Sequence, residues 1–261
     1  MNINYIDSGE NLNNSDKPVV IFVHGFFMDS RMFLSQFSEI SKKNRVVCVD
    51  VRGFGKNSVN IETFSLYDIV DDISKIVKKL NIKNFILCGM SMGGYVALRM
   101  AISQFDELKG LILISTQYEQ DTPDIITSYN ELCDNWENPV TKETIINTLL
   151  PIFFGDCEKQ SQEWKKIWLE HHPENIRKAM AAMINRDDIN DKICKINVPT
   201  LIIHGENDVG IPSIKSQNLK NKIHNSELFL IPEGNHALPV THPVVINRII
   251  TTWLHKNNYR F

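Results

Sequence analysis

The sequence predicts an α/β fold in which a mostly parallel sheet of about seven strands is flanked by helices. Two observations lead to this prediction. Short, nearly continuous apolar runs recur along the chain, as expected of parallel strands covered on both faces. Segments with helical spacing of apolar residues separate most of these runs, which is typical of parallel sheets with right-handed crossovers. The 261 residues are 43% hydrophobic, enough for a large buried core.

Seven segments are predicted as strands. They are 3–7, 18–23, 45–49, 84–88, 110–114, 199–203 and 226–231. The first is expected to lie antiparallel at the edge of the sheet. Helices are predicted over 30–42, 65–80, 91–105, 213–222 and 243–256. In 65–80 the apolar residues recur at helical spacing, and Ser65 is a suitable N-cap.

One long segment interrupts this alternation. From about 117 to about 191 there is no strand-like run, and helices are predicted near 124–136, 142–150, 158–171 and 174–185. A helical insertion between two strands indicates a cap over the edge of the sheet. We therefore expect a core domain formed by 1–116 and 192–261, with residues 117–191 inserted in it as the cap.

Composition excludes several classes of function. The net charge of -3 gives no reason to expect a nucleic-acid partner. No apolar stretch is long enough to span a bilayer, so no membrane partner is expected, and the first residues do not resemble a signal peptide. The five cysteines form no C-x-x-C motif, which fits the reducing cytoplasm. We expect a cytoplasmic monomer or homodimer.

The motif GMSMG at 89–93 is the main functional signal. It follows an apolar run and precedes a predicted helix, and a serine in that setting with glycine two places either side is typical of a nucleophile elbow. The first N–H groups of the helix and the positive end of its dipole point to the same place, which suits attack on a carbonyl. The alternative is an ordinary glycine-rich turn in which Ser91 has no chemical role.

Two later loops supply the partners that a nucleophilic serine needs. Asp208 follows the strand predicted to end at residue 203, and His236 follows the strand predicted to end at 231. Functional residues in a parallel sheet lie just past such strand ends, and the order Ser, Asp, His is that expected with an elbow serine. Glu206 and Glu233 are rival carboxylates. We favour Asp208 because the loop must run a few residues to reach the histidine.

The segment HGF at 24–26 follows the first core strand and predicts an oxyanion hole. Gly25 permits a sharp turn that can aim a backbone N–H at Ser91. The N–H groups of Phe26 and Met92 would then stabilise the oxyanion. We interpret His24 as a buried histidine that ties the loop by hydrogen bonds, rather than as a second base.

These residues together resemble the α/β-hydrolase fold family, and among its members the small carboxylesterases, cofactor-free haloperoxidase-like esterases and enol-lactonases. The resemblance implies Ser91 as nucleophile, His236 as general base and acid, and Asp208 as the acid that orients it. A shortened first hairpin suggests seven strands rather than eight. Serine in place of aspartate at the nucleophile position argues against haloalkane dehalogenases and epoxide hydrolases. The motifs that carry the resemblance are HGF at 24–26, DVRGFGKNS at 50–58, GMSMGG at 89–94, Gly205-x-x-Asp208-x-x-x-Pro212 and Gly234-x-His236.

Apolar side chains near these motifs and in the predicted cap are candidates to line a substrate cleft. Adjacent residues Glu170, His171 and His172 lack the spacing of a metal site and are interpreted as surface residues at a helix end. No metal and no cofactor are expected. The candidate lining residues are Phe27, Met28, Tyr95, Phe153, Trp164 and Leu238.

The sequence therefore predicts a serine hydrolase that cleaves an ester of a small to medium apolar substrate through an acyl-enzyme. Lactone, thioester or C–C hydrolysis, or perhydrolysis, on the same three residues remains open, since one fold hosts all of these reactions. A ligand-binding receptor that retains an inactive triad is the alternative from a different class.

Overall fold

A seven-stranded sheet forms the centre of the computed structural model, which describes residues 3–10, 17–58 and 62–257. The spatial order is β1-β3-β2-β4-β5-β6-β7, and only β1 is antiparallel to its neighbour. The prediction of a mostly parallel sheet of about seven strands is confirmed. The strands are β1 (Tyr5–Asp7), β2 (Val19–Val23), β3 (Val46–Val49), β4 (Phe85–Met90), β5 (Leu108–Ile114), β6 (Thr200–Gly205) and β7 (Ser226–Ile231).

Helices cover both faces of this sheet. Every residue of β2 is buried, and because successive side chains of a strand point to opposite faces, neither face is open to solvent there. Helix α2 packs on α3, and α1 packs on α10. The helices of the described chain are α1 (Leu34–Ile40), α2 (Leu66–Lys79), α3 (Met92–Ile102), α4 (Pro123–Asn135), α5 (Pro139–Phe154), α6 (Glu158–Glu170), α7 (Pro173–Ile184), α8 (Ile214–Lys222), α9 (Leu238–Thr241) and α10 (Pro243–Lys256).

The predicted N-cap of α2 is confirmed. The Ser65 side chain accepts a hydrogen bond from the backbone N–H of Asp68, and the Asp68 carboxylate accepts one from the N–H of Ser65. This reciprocal capping box satisfies two donors that a helix start otherwise leaves unpaired.

Strand β4 and helix α5 are longer than the sequence predicts. Strand β4 continues to Met90 because Gly89 and Met90 pair with β5, so Ser91 follows the strand directly. Helix α5 begins at Pro139, where a missing N–H costs nothing, and continues past Pro151 to the buried residue Phe154. Burial of the last aromatic residues outweighs the local cost of the proline.

Helices α4 to α7 occupy the segment between β5 and β6 that the sequence predicts to be helical. The end of α5 also reaches the loop after β7. The carbonyls of Ile152 and Phe153 accept hydrogen bonds from the backbone N–H groups of His236 (3.3 Å) and Ala237 (2.9 Å). This segment therefore helps to fix the position of the His236 backbone.

Candidate active site

Ser91 lies at the sharp turn between β4 and α3. Its backbone has φ of 52° and ψ of -116°, a region that residues other than glycine rarely adopt. Strain of this kind persists only where the surroundings impose it. Here the Ser91 N–H donates to the carbonyl of Ile114 (2.9 Å), and the Thr116 hydroxyl donates to the carbonyl of Ser91 (2.9 Å). The last residue of β5 and Thr116, just past the strand, thus hold the turn in place.

The two glycines that flank Ser91 are required by close backbone approach. A Cβ atom added to Gly89 would overlap the carbonyl of Gly93, and one added to Gly93 would overlap the carbonyl of Val23. Neither position has a positive φ. Glycine is therefore required because there is no room for a Cβ atom. Its absence lets α3 pack closely against the ends of β2 and β4.

Three side chains from three separate loops form one hydrogen-bonded chain. His236 Nε2 lies 3.0 Å from Ser91 Oγ, and His236 Nδ1 lies 2.7 Å from Asp208 Oδ2. An ionised carboxylate only accepts, so Nδ1 carries the proton and Nε2 accepts from the Ser91 hydroxyl. All three residues are buried, and Ser91 is 9% exposed. The geometry is that of a serine ready to lose its proton to an imidazole.

The Asp208 carboxylate is held ionised by its surroundings. Burial by itself would raise its pKa, but the charge interaction with His236 and hydrogen bonds from His204 and His236 lower the pKa well below its usual value. Its Oδ1 accepts the N–H groups of Gly210 and Ile211, each at 2.9 Å. The rival carboxylates Glu206 and Glu233 are exposed.

A second imidazole beside Asp208 was not identified from the sequence. His204 is fully buried, with Nε2 at 2.7 Å from the carbonyl of Ile211 and 3.3 Å from Asp208 Oδ2. A carbonyl only accepts, so Nε2 is the protonated nitrogen. Its Nδ1 is buried and has no partner among the residues that the structure describes. The only available signal was its position at the end of a predicted strand, four residues before Asp208.

The turn after β2 lies beside Ser91. A Cβ atom added to Gly25 would come within 3.2 Å of Ser91 Cβ. The backbone N–H groups of Phe26 and Met92 have no hydrogen-bond partner within the described ranges, so both are available to a ligand. His24 is fully buried, donates from Nδ1 to the carbonyl of Gly25 (2.8 Å) and accepts at Nε2 from the N–H of Val51 (2.8 Å). Both ring nitrogens of His24 are thus used in hydrogen bonds to backbone groups.

The candidate lining residues have different surroundings. The Phe153 ring meets the His236 ring edge to face at 5.0 Å, so it lies at the site. Tyr95 carries the Arg186 guanidinium over its ring at 4.4 Å, and Trp164 stacks on Phe154 at 6.5 Å. A role in substrate binding stays a prediction for the whole set, whose other members are also buried: Phe27, Met28 and Leu238.

The interpretation of His171 as a surface residue is wrong. His171 is only 8% exposed, and its Nε2–H donates to the carbonyl of Phe27 at 2.8 Å. The signal was present in the sequence, because Trp164, Trp168 and His171 recur at helical spacing and so share a face. His172 is exposed and caps α7 instead.

Acid should destabilise the fold through His171. Burial lowers its pKa from 6.5 to about 4, although the hydrogen bond to Phe27 acts in the opposite direction. Between these values the unfolded chain binds a proton here and the folded chain does not, so the free energy of unfolding falls as pH decreases. From about pH 7 to about pH 4 we expect His171 to account for a loss of about 3 kcal/mol.

Urea unfolding of the wild type and of His171→Gln at both pH values measures this contribution. Glutamine does not titrate, so the variant should lose correspondingly less stability in acid. Buried His24, whose pKa burial also lowers, is present in both proteins and cancels. Equal losses in the two proteins would refute the assignment.

Within the described ranges, no group of three or more His, Cys, Asp or Glu side chains is arranged to hold a metal ion. None of the described helices combines the length and the apolar character that a membrane span requires.

Comparisons with known proteins match the fold described above. A family model described as the alpha/beta hydrolase fold matches residues 18–243. The AB hydrolase superfamily protein YisY of Bacillus subtilis is 27% identical over 88% of this chain and 89% of its own length. The pimeloyl-(acyl-carrier protein) methyl ester esterase of Wigglesworthia glossinidia brevipalpis is 28% identical over 92% of this chain and 94% of its own.

Solved structures share the whole architecture. A thermophilic esterase from Thermogutta terrifontis superposes with a TM-score of 0.87 at 26% identity, covering 97% of this chain and 93% of the esterase. The enol-lactonase from Burkholderia xenovorans LB400 superposes with a TM-score of 0.86 at 18% identity, covering 97% and 96%. The second likeness is one of fold alone.

Proposed function

We propose that this chain, which belongs to the alpha/beta hydrolase fold family, is a serine hydrolase that cleaves carboxylic esters through an acyl-enzyme. One observation carries the proposal. Ser91 Oγ, the His236 ring and the Asp208 carboxylate form an unbroken hydrogen-bonded chain with distances of 3.0 and 2.7 Å. That chain provides a nucleophile, its base and the group that orients the base.

The reaction would proceed in two acyl transfers. His236 Nε2 takes the proton of Ser91 while Oγ attacks the ester carbonyl, and Asp208 stabilises the imidazolium that forms. The N–H groups of Phe26 and Met92 receive the oxyanion, and the α3 dipole adds to this stabilisation. His236 then protonates the leaving alcohol and later activates the water that releases the acid.

The surroundings favour a small to medium, largely apolar substrate. Phe26 is buried in the turn at 25–28, and Phe153 is buried with its ring against that of His236. Apolar walls bind an apolar acyl or alcohol group favourably, whereas the charges of an ionic substrate would find no polar partner there. Among the similar proteins, the Wigglesworthia enzyme is named for cleavage of a methyl ester and the Thermogutta enzyme as an esterase.

We also propose the reducing cytoplasm as the location. All five cysteines are free thiols, and Cys48 and Cys88 are buried in the sheet. Persistent reduced thiols are typical of that compartment.

A panel of p-nitrophenyl esters tests the proposed activity. We expect kcat/KM to rise from the acetyl ester to an acyl chain of intermediate length and then to fall as the cleft is filled. Lactones and acyl thioesters measured alongside decide between ester cleavage and the other reactions of the same triad. A clear preference for charged or polyhydroxy substrates, or for lactones or thioesters over every ester, would contradict the proposal.

A further inference from the structure

Phe27, in the turn that carries the proposed oxyanion donor, has an unusual backbone. Its φ is 66°, in the left-handed region that bulky residues rarely adopt. The turn is closed by a hydrogen bond from the N–H of Met28 to the carbonyl of Gly25 at 3.2 Å. A conformation of this kind needs contacts from outside the turn to maintain it.

Those contacts come from the helical segment 117–191. The Phe27 ring stacks on Trp136 at 4.9 Å and lies 5.2 Å from the ring of Trp168. The Phe27 carbonyl accepts its hydrogen bond from Nε2 of His171, at 2.8 Å. Thus the helical segment holds both the ring and the peptide group of Phe27.

Several contacts hold His171 itself in place. Its backbone carbonyl accepts hydrogen bonds from Trp136 Nε1 (3.3 Å) and Lys142 Nζ (2.9 Å). Its ring stacks on Phe27 at 6.2 Å and meets Phe54 edge to face at 5.3 Å. A donor packed in this way fixes the direction of the carbonyl that it binds.

We propose that His171 is a positioning residue of the reaction: its hydrogen bond to the Phe27 carbonyl holds the turn at 25–28 in the conformation that directs the Phe26 N–H toward the tetrahedral intermediate on Ser91. This inference rests on the proposed function and goes beyond it. It makes the oxyanion hole depend on a side chain of the helical segment that is distant from Ser91 in sequence. A loss of this hydrogen bond would lower transition-state stabilisation without removing any group that touches the substrate.

Asn175 provides a matched control for simple anchoring of the segment. It is buried on α7, and its Nδ2 donates to the carbonyls of Gly53 (3.3 Å) and Ser58 (2.7 Å). These hydrogen bonds tie the same segment to the core, and neither of them involves the turn at 25–28. If His171 merely anchored the segment, loss of its hydrogen bond and loss of the Asn175 hydrogen bonds would lower kcat equally.

The test compares His171→Leu, which has no donor, with His171→Gln, whose amide can donate to the same carbonyl, and with Asn175→Leu. We expect His171→Leu to lower kcat for a p-nitrophenyl ester by about 10- to 100-fold with little change in KM, since misplacement of a catalytic group by about 1 Å can cost about 100-fold in rate. His171→Gln should recover most of this loss. Asn175→Leu should change kcat by less than about threefold.

An inhibitor measurement separates this proposal from the proposed function. Ser91 Oγ adds to the carbonyl carbon of an alkyl trifluoromethyl ketone, its proton passes to His236, and the former carbonyl oxygen becomes the oxyanion. The inhibition or dissociation constant of this adduct measures how well the oxyanion hole stabilises the oxyanion, even if no ester tested is turned over. We expect the affinity to fall in His171→Leu by the same factor as kcat. An ester-inactive wild type that still binds the ketone would refute only the proposed function.

Several outcomes would overturn the inference. These are an unchanged kcat and ketone affinity in His171→Leu, equal losses in His171→Leu and Asn175→Leu, failure of His171→Gln to recover activity, or an effect on KM alone. Thermal melting checks each variant, and His171→Met serves as a second variant without a donor if His171→Leu does not fold.

Discussion

Replacement of Ser91 by alanine is expected to lower kcat for a p-nitrophenyl ester by at least about 10⁴-fold. The change removes the only atom that forms the acyl-enzyme, whereas the Phe26 and Met92 N–H groups and the apolar walls remain. The free energy of unfolding should change by less than about 1 kcal/mol, because alanine has a Cβ like serine and the backbone bonds to Ile114 and Thr116 are retained.

Ser115 supplies the matched control for this experiment. It is fully buried and, like Ser91, has a positive φ, of 47°. Its hydroxyl has no hydrogen-bond partner in the described part of the chain. Ser115→Ala should therefore leave kcat within about twofold of the wild type. Comparable activity in Ser91→Ala and Ser115→Ala would exclude Ser91 as the nucleophile.

Asp208→Asn is expected to lower kcat by about 10⁴-fold through the wrong tautomer of His236. The asparagine oxygen can continue to accept the N–H groups of Gly210 and Ile211 in place of Oδ1. The amide nitrogen then faces His236 Nδ1 in place of Oδ2 and donates to it. His236 must carry its proton on Nε2, where it can no longer accept from Ser91. The same amide faces the Nε2–H of His204, which adds a second unfavourable contact.

Steady-state kinetics of Asp208→Asn and of Glu206→Gln check this prediction. Glu206 is the exposed rival carboxylate of the same loop, and its substitution should leave kcat within about twofold. A larger loss in Glu206→Gln than in Asp208→Asn would show that Glu206, and not Asp208, orients His236. The proton signal of His236 Nδ1, measured by NMR in the resting protein, should disappear in Asp208→Asn.

Much of the fold could be predicted because its central strands are buried on both faces. The strands β2 and β4 are apolar from end to end, which predicts that both of their faces are covered. The convergence of Ser91, Asp208 and His236 was predictable for a related reason. Parallel strands place their carboxyl ends on one edge, so residues that follow three such strands come together whatever their separation in sequence.

The remaining features depend on tertiary contacts that have no local pattern. The positive φ of Phe27 could not be predicted, since phenylalanine has no preference for that region and aromatic rings from distant helices hold it there. The contact between His204 and Asp208 could not be predicted, because the position of a histidine at the end of a strand does not show which carboxylate it will face. The extension of α5 beyond Pro151 likewise depends on burial of Phe153 and Phe154 against the rest of the molecule.

The most direct test of the central claim is the mass of the protein during turnover. A p-nitrophenyl ester is mixed with the protein, the reaction is stopped in acid within the first turnovers, and the intact mass and the proteolytic peptides are measured. We predict a mass increase equal to the acyl group, located on Ser91 and absent from Ser91→Ala. Rapid release of p-nitrophenol with no acyl group on Ser91, or with the acyl group on another residue, would contradict the account.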